Sequence, residues 1–389
     1  MYQAGWHKTD IGIQPDGHAM HGYGHFEHRA TGSRTPLYAR ALYLADAEGH
    51  ALFFCCLDLG YVTHAMREGV LTALRRVLGI EFDESALVLT CTHTHSGPGG
   101  CAHEALYNVV TPGFVPEHLE KVVAAASGAL LAARAAAAPT ELFLVQGNFE
   151  ASVPVAWNRS LSAYNRNSDV KRRSRNETHL ALDRTMSVLG LRRDGRLQAM
   201  VSLFGVHATC LGNSLSLFDG DNKGYAAAYV EHALAQDGVA DAVAIFAQST
   251  AGDVSPHFQG PGDIARRARL SGEEEYAYAA RNGRYQGELA LRILADEGQP
   301  IRGGLDSIFS YADLTDVTAD PVFAGGRADA RTSSPCHGVA FFAGTRVDGP
   351  GMPAPLVMGA RLMARGLRAA RLRMLDRYAP AEREYFRRL

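Results

Sequence analysis

The chain has no CxxC pair among its six cysteines, Cys55, Cys56, Cys91, Cys101, Cys210 and Cys336. This excludes the usual thiolate zinc site and the thioredoxin-type motif. Most of them sit in apolar runs such as ALFFCCLD, where a free cysteine acts as a small hydrophobe, so no disulfide framework is expected. A dominant charge is missing as well: 39 Lys and Arg against 41 Asp and Glu leave a formal net charge of -2. The basic run from Lys171 to Arg175 is too short to make the broad stripe of a nucleic-acid binder. The longest apolar run, VVAAASGALLAARAAAA, is broken by Ser127, Gly128 and Arg134 and falls short of a membrane span. The start, MYQAGWHKTDIGIQPDG, has no charged region followed by an apolar one, so it does not read as a signal peptide. These absences lead to the expectation of a cytoplasmic protein.

What remains is an ordinary globular composition, 47% hydrophobic and 21% charged over 389 residues, enough chain for a substantial core. Apolar periodicity predicts strands at Leu37–Ala45, Ala51–Asp58, Ala86–Thr92, Glu141–Gly147 and Ala242–Gln248. It predicts a hairpin from Arg184–Arg193 and Leu197–Val206 about Asp194-Gly195, and strand-like sequence around Gly304–Thr315. Helices are predicted at Thr63–Leu78, Val115–Ala137, Tyr225–Ala235, Glu273–Glu297 and Pro355–Tyr378. The polar stretch Trp157–Asp183 reads as a long functional loop. No internal repeat or low-complexity linker divides the chain, and Gly325–Ser334 is the best candidate boundary. The alternation predicts an α/β fold with a central, mixed sheet flanked by helices.

Four segments carry chemistry. In LVLTCTHTHSGPGG, His93 and His95 follow a strand, and the period-two alternation of a strand would put both imidazoles on one face. Two such rings share a metal, or divide metal binding and proton handling, or are satisfied polar groups beside a turn; histidine is the commonest metal ligand. His207 stands at the end of the strand in FGVHATC, where it can meet the first pair across the strand ends. The segment AIFAQSTAGDVSPH runs from a buried strand into a loop with Asp253 and Ser255. There Pro256 biases Ser255 away from helix, and Asp253 hydrogen-bonds the loop or takes part in proton transfer. In VAWNRSLSAY, Arg159 is placed to hold an oxyanion or a polar substrate group, or is a surface arginine. Asp221 or Asn222, in DGDNKGYAAAYVE, reads as a helix cap. Three protein ligands plus a water are usual for a catalytic zinc, and the residues by themselves suggest a metal-assisted hydrolase of unspecified substrate.

THTHSGPGG, NRSLSAY, His207 followed by DNKGYA, then GDVSP and AGTRVDGPG occur in an order that resembles the catalytic domain of the neutral, non-lysosomal ceramidases. The opening DIGIQPDGHAMHGYG and the strand LYARALYL add to the likeness, which covers nearly the whole chain. The resemblance implies a ceramidase-like single domain over residues 1–389. It implies cleavage of the amide of ceramide or a related N-acyl lipid to fatty acid and amine, with that lipid as partner, met at a membrane periphery. It implies Zn2+ held by His93 and His207. Ser255 would be the nucleophile or the group positioning the zinc water, and His95 and Arg159, with Asp253 nearby, would move protons and hold polar groups. The family's zinc also takes a glutamate and a tyrosine from beyond the DGPG segment. Neither is assigned here, and no immunoglobulin-like C-terminal domain is seen, so a chain incomplete at its C-terminal end is the expectation. His257 replaces the asparagine that usually follows GDVSP and offers a substitute nitrogen. The alternatives are an amidase or esterase acting on another soluble N-acyl substrate, and a non-catalytic family member serving as a binding or scaffold protein.

Overall fold

A computed structural model describes the chain apart from residues 109–110, 112, 258–268, 336–337, 339–340, 342, 345–346, 349–351, 381–382 and 384–389. Cys336 and parts of AGTRVDGPG (Thr345, Arg346 and Gly349–Gly351) therefore lie outside the described residues.

The strands are β1 (Tyr2–Asp10), β2 (Gly32–Ser33), β3 (Tyr38–Ala45), β4 (Ala51–Leu57), β5 (Leu87–Cys91), β6 (Ala138–Asn148), β7 (Trp157–Asn158), β8 (Thr185–Arg193), β9 (Arg196–Leu203), β10 (Leu217–Phe218), β11 (Val243–Ala247), β12 (Val254–Ser255) and β13 (Gln299–Pro300). The α-helices are α1 (His64–Leu78), α2 (Pro116–Ala135), α3 (Leu161–Tyr164), α4 (Asp221–Gln236), α5 (Glu273–Leu294) and α6 (Ala354–Tyr378). Local chemistry accounts for several boundaries. The Asp46 carboxylate accepts from the N–H groups of Glu48 and His50 and closes the β3–β4 hairpin. Thr63 caps α1 by accepting from Met66 N–H, and Pro116 opens α2, where its missing N–H is not needed.

Nine strands form one mixed sheet in the order β11-β9-β8-β6-β1-β3-β4-β5, with β13 beside β6. Its interior pairs are antiparallel, while β4/β5 at one end and β9/β11 at the other are parallel. Each parallel pair needs a crossover, and α1 and α4 supply the two. The sheet curls so that its ends face each other. Val243, Ile245 and Ala247 of β11 share one apolar cluster with Leu42 and Leu44 of β3 and Cys56 of β4. On the outer face of one half, α1 and α2 pack over β1, β3 and β4. On the other half, α4 and α5 pack over β6, β8, β9 and β11. The result is a layered α/β body in which loops from opposite edges of one sheet can meet.

The chain separates into two compact units, Met1–Ile308 with Val347–Gly349, and Phe309–Arg346 with Pro350–Leu389. The second contains α6, whose Leu356, Met358, Leu362, Met363 and Leu367 are exposed.

The expected strands and helices fall within a few residues of those observed, with two exceptions. β1 runs through the middle of the sheet where no strand was expected. Tyr2, Ala4 and Trp6 alternate into one apolar cluster, but this stripe is short and the strand continues through the polar Lys8, Thr9 and Asp10. The strand-like Gly304–Thr315 forms no strand. Leu305 N–H goes to the distant Asp46 carboxylate at the β3–β4 hairpin and Thr315 N–H to Asp313 in a local turn, and β13 already occupies the position beside β6. No helix among the described residues is long and apolar enough to cross a membrane.

Candidate active site

Strand β5 stops at Cys91, so the period-two argument for the two histidines fails. His93 takes a left-handed backbone, φ 65°, and the chain turns. Its N–H donates to Leu59 O, and His95 N–H donates to Ala208 O at 3.2 Å, beside a parallel bridge between Thr94 and Ala208. The loop that follows β5 is thereby joined to the loop that follows β9. Gln248, just past β11, donates from Nε2 to both Thr92 O at 2.9 Å and Val206 O at 2.6 Å, stapling the two loops from above. Asn222 of α4 donates to His207 O.

This brings three imidazoles together. His93 Nε2 lies 3.1 Å from His207 Nε2 and 3.3 Å from His95 Nε2. The remaining nitrogens of the first two face carbonyl oxygens: His93 Nδ1 lies 2.5 Å from Gly60 O, and His207 Nδ1 lies 2.7 Å from Ala251 O. A carbonyl only accepts, so both Nδ1 atoms carry the proton and both Nε2 atoms present lone pairs. Burial, helped by neighbouring positive charge, keeps all three rings neutral. It pushes His93 below its ordinary range, His95 well below, and His207, with Arg159 and His93 adding, down to about 3. Close lone pairs on neutral, buried rings are the donor set of a borderline cation, so these residues fit zinc. Ligand nitrogens of all three histidines lie within 4.8 Å of one another. His95 is thus grouped with His93 and His207, and its Nδ1 has no hydrogen-bond partner among the described residues. Its ring packs against Gly22, where a Cβ would come within 2.4 Å of it, so only glycine fits there.

Arg159, just past β7, connects this cluster to a second group. Its Nη2 lies 3.1 Å from His207 Nε2, and its Nη1 pairs with Asp348 Oδ2 at 2.6 Å. Asp348 Oδ1 accepts from Ser255 Oγ at 2.6 Å and from Thr209 Oγ1 at 3.1 Å. Ser255 is fully buried, and its Oγ also accepts the His257 N–H at 3.0 Å. Burial pushes the Asp348 carboxyl up, but Arg159, the Ser255 hydroxyl and His257 prevail and hold it below its ordinary range, so it is a carboxylate.

The other expected residues stand apart. Asp253 accepts from Asn158 Nδ2 at 2.7 Å, and its carbonyl takes the Arg159 N–H, so it clasps β7 to β12 and touches neither Ser255 nor a histidine in any described contact. His257 Nε2 bonds Thr209 O and its ring stacks on Tyr278, outside the imidazole cluster. Asp221 does not cap α4 in the usual way; its buried carboxylate takes the N–H groups of Cys210, Leu211 and Asn222 and pins the loop beyond His207. Asp348 and Gln248 were not picked out in the sequence. Asp348 sits in AGTRVDGPG, and the only signal was its place in an already recognised motif; Gln248 looks like the polar end of a buried strand.

Comparison with known proteins identifies the family over most of the chain. The family model for neutral/alkaline non-lysosomal ceramidase, N-terminal, matches residues 2–365. A neutral ceramidase of Pseudomonas aeruginosa is 31% identical over 355 residues, covering 90% of this chain and 50% of that protein. A neutral ceramidase of Mycobacterium tuberculosis is 32% identical over 346 residues, covering 85% and 51%. The crystal structure of the Pseudomonas aeruginosa neutral ceramidase superposes with a TM-score of 0.75 at 31% identity, covering 84% of this chain and 50% of that one. A ceramidase structure complexed with C2 does so with the same TM-score. The chain spans about half the length of these relatives.

Proposed function

Because the chain belongs to the neutral/alkaline non-lysosomal ceramidase family, we propose that it hydrolyses the amide of ceramide or a related N-acyl lipid, with zinc held by His93 and His207. The observation that carries this reading is the 3.1 Å approach of two Nε2 atoms whose partner nitrogens are both turned to carbonyl oxygens. Zinc, when bound, supplies Lewis acidity that polarises an amide carbonyl and lowers the pKa of a water.

The side chains divide the remaining work. Arg159 spans the cluster and Asp348, so its guanidinium is placed to hold negative charge that develops on the carbonyl oxygen. Ser255 is oriented twice, by Asp348 on its proton and by His257 N–H on its lone pair. As a nucleophile it would pass that proton to Asp348 Oδ1; as a positioning group it would orient the attacking water. His95, whose Nε2 lies 3.3 Å from His93 Nε2, is placed beside the cluster where it would assist proton transfer to the departing amine.

The test is incubation of chelator-stripped protein with a fluorescent short-chain ceramide, with and without added zinc. Zinc-restored release of the fluorescent acid supports the reading. Stoichiometric zinc without turnover of ceramide, or of a soluble N-acyl substrate tried beside it, would leave a binding protein in its place.

A further inference from the structure

Outside this centre, a second set of metal-ligating side chains converges: Asp16 and His18 from the loop after β1, and His118 from the first turn of α2. Ligand atoms of the three lie within 4.8 Å of one another. His18 Nδ1 contacts Asp16 Oδ1, and the two imidazole rings meet edge to face at 5.0 Å. His118 is 4% exposed. Its Nδ1 donates to Gly99 O at 2.8 Å, which places the proton there and leaves Nε2 as the lone-pair nitrogen. That Nε2 is buried and has no hydrogen-bond partner among the described residues. A buried imidazole nitrogen left unsatisfied is costly, and the other members of this group are an imidazole and a carboxylate.

We propose that Asp16, His18 and His118 bind a divalent cation of the zinc class. Two imidazoles and one carboxylate suit Zn2+ or Co2+ over Ca2+ or Mg2+, which take oxygen ligands. Tetrahedral zinc with bonds of about 2.0–2.1 Å sets its ligand atoms roughly 3.4 Å apart, a separation within the 4.8 Å span of this group. The Asp16 and His18 side chains are 49% and 31% exposed, so the outer side stays open to water and to entry of the ion. His118 meets the usual pattern in which a backbone carbonyl fixes the tautomer of a ligating histidine.

The placement gives the ion a task. Gly99 accepts from His118, and its own N–H donates to Ala19 O, next to His18; His21 N–H donates to Gly97 O. Gly97 and Gly99 belong to the loop that begins with His93 and His95. A cation at this point would clip the loop after β1, the start of α2 and that loop to one another, and would stiffen the support of the imidazole cluster from outside.

The test counts zinc per chain by mass spectrometry of the metal, after chelation, reloading with Zn2+ and desalting. The full chain should hold two. His18→Ala, a change at a half-exposed position, should hold one and show a smaller zinc-induced rise in melting temperature, and Asp16→Asn should weaken the second ion. The double variant His93→Ala/His207→Ala should also retain one, which separates this site from the proposed catalytic one. Equal zinc in the full chain and in His18→Ala would overturn the proposal, whether the count were one or two.

Discussion

At the scale of single residues, the site makes a prediction that separates binding from chemistry. His93→Ala removes one of the two facing lone pairs, so the zinc of this centre and hydrolysis should disappear together, leaving only an ion held at Asp16, His18 and His118. Ser255→Ala leaves every histidine in place, so zinc should stay while turnover falls by roughly 10²–10⁴-fold. Metal content and kcat measured on the same samples decide it, and full activity in the serine variant would remove that residue from the mechanism. Asp348 makes the second. Asp348→Asn keeps the shape but takes the counter-charge from Arg159 and the acceptor charge from Ser255. Charge-assisted hydrogen bonds contribute about 1.5–3 kcal/mol each, so kcat should fall on the order of 10²-fold with zinc retained. An unchanged kcat would show that the orientation of Ser255 does not depend on Asp348. His93, His207 and Ser255 were singled out at the ends of apolar strands and Arg159 at the start of a polar loop, and the structure brings these side chains near one another, directly or through Asp348. Asp348 was not singled out, because it returns to the site from a segment far along the chain, and no local pattern announces a partner that distant. Asp253 was open to either reading, loop hydrogen bonding or proton transfer, and its described contact is the loop one, to Asn158.

At the scale of elements, packing is set by where side chains are missing. α4 and α5 make the most extensive helix contact of the molecule among the described residues. They approach so closely at Gly283 that an added Cβ would lie 2.6 Å from Asn222 O and 2.7 Å from Ala226 N. These are backbone atoms and cannot swing aside. Gly283→Ala should therefore destabilise the protein by about 1–3 kcal/mol despite alanine's better helix propensity, read as a lower urea midpoint. Because Asn222 also holds His207 O, zinc affinity should weaken in the same variant; an unchanged midpoint would mean the helices part without cost. The helices themselves were plain in the sequence, since α1 and α5 carry apolar residues at helical spacing. β1 was hidden because its apolar stripe is short: Tyr2, Ala4 and Trp6 reach the core, while Lys8, Thr9 and Asp10 that continue the strand are polar. Gly304–Thr315 alternates yet forms no strand, because alternation specifies a face and cannot supply an edge to pair with.

At the scale of the whole molecule, the curl of one sheet that joins its two ends also buries charge beneath the site. Lys223 of α4 is fully buried, donating to Phe204 O at 2.7 Å at the end of β9 and to Gln286 Oε1 at 2.8 Å on α5. Burial pushes its ammonium down to about 7. Burial pushes Asp219 and Asp221 the other way, Asp219 to about 7 with the Asp221 charge adding, and Asp221 to about 6. From about pH 4, where carboxyls of the unfolded chain lose their protons, up to pH 6–7, the folded protein keeps protons the unfolded chain has lost. Stability contributed by these aspartates therefore falls as pH rises through that range. From pH 7 to about 10.4, the ordinary lysine value, the unfolded chain carries a proton that folded Lys223 has released, so stability rises with pH by up to about 1.4 kcal/mol per unit. The two limbs form a trough near neutrality. Lys223→Met should lower stability near pH 9 by about 1–2 kcal/mol for the lost hydrogen bonds and flatten the alkaline limb, while leaving the acid limb in place. Urea midpoints at pH 5, 7 and 9.5 measure this, and a variant that gains stability between pH 7 and 9.5 as steeply as the parent would show that the alkaline limb has another source.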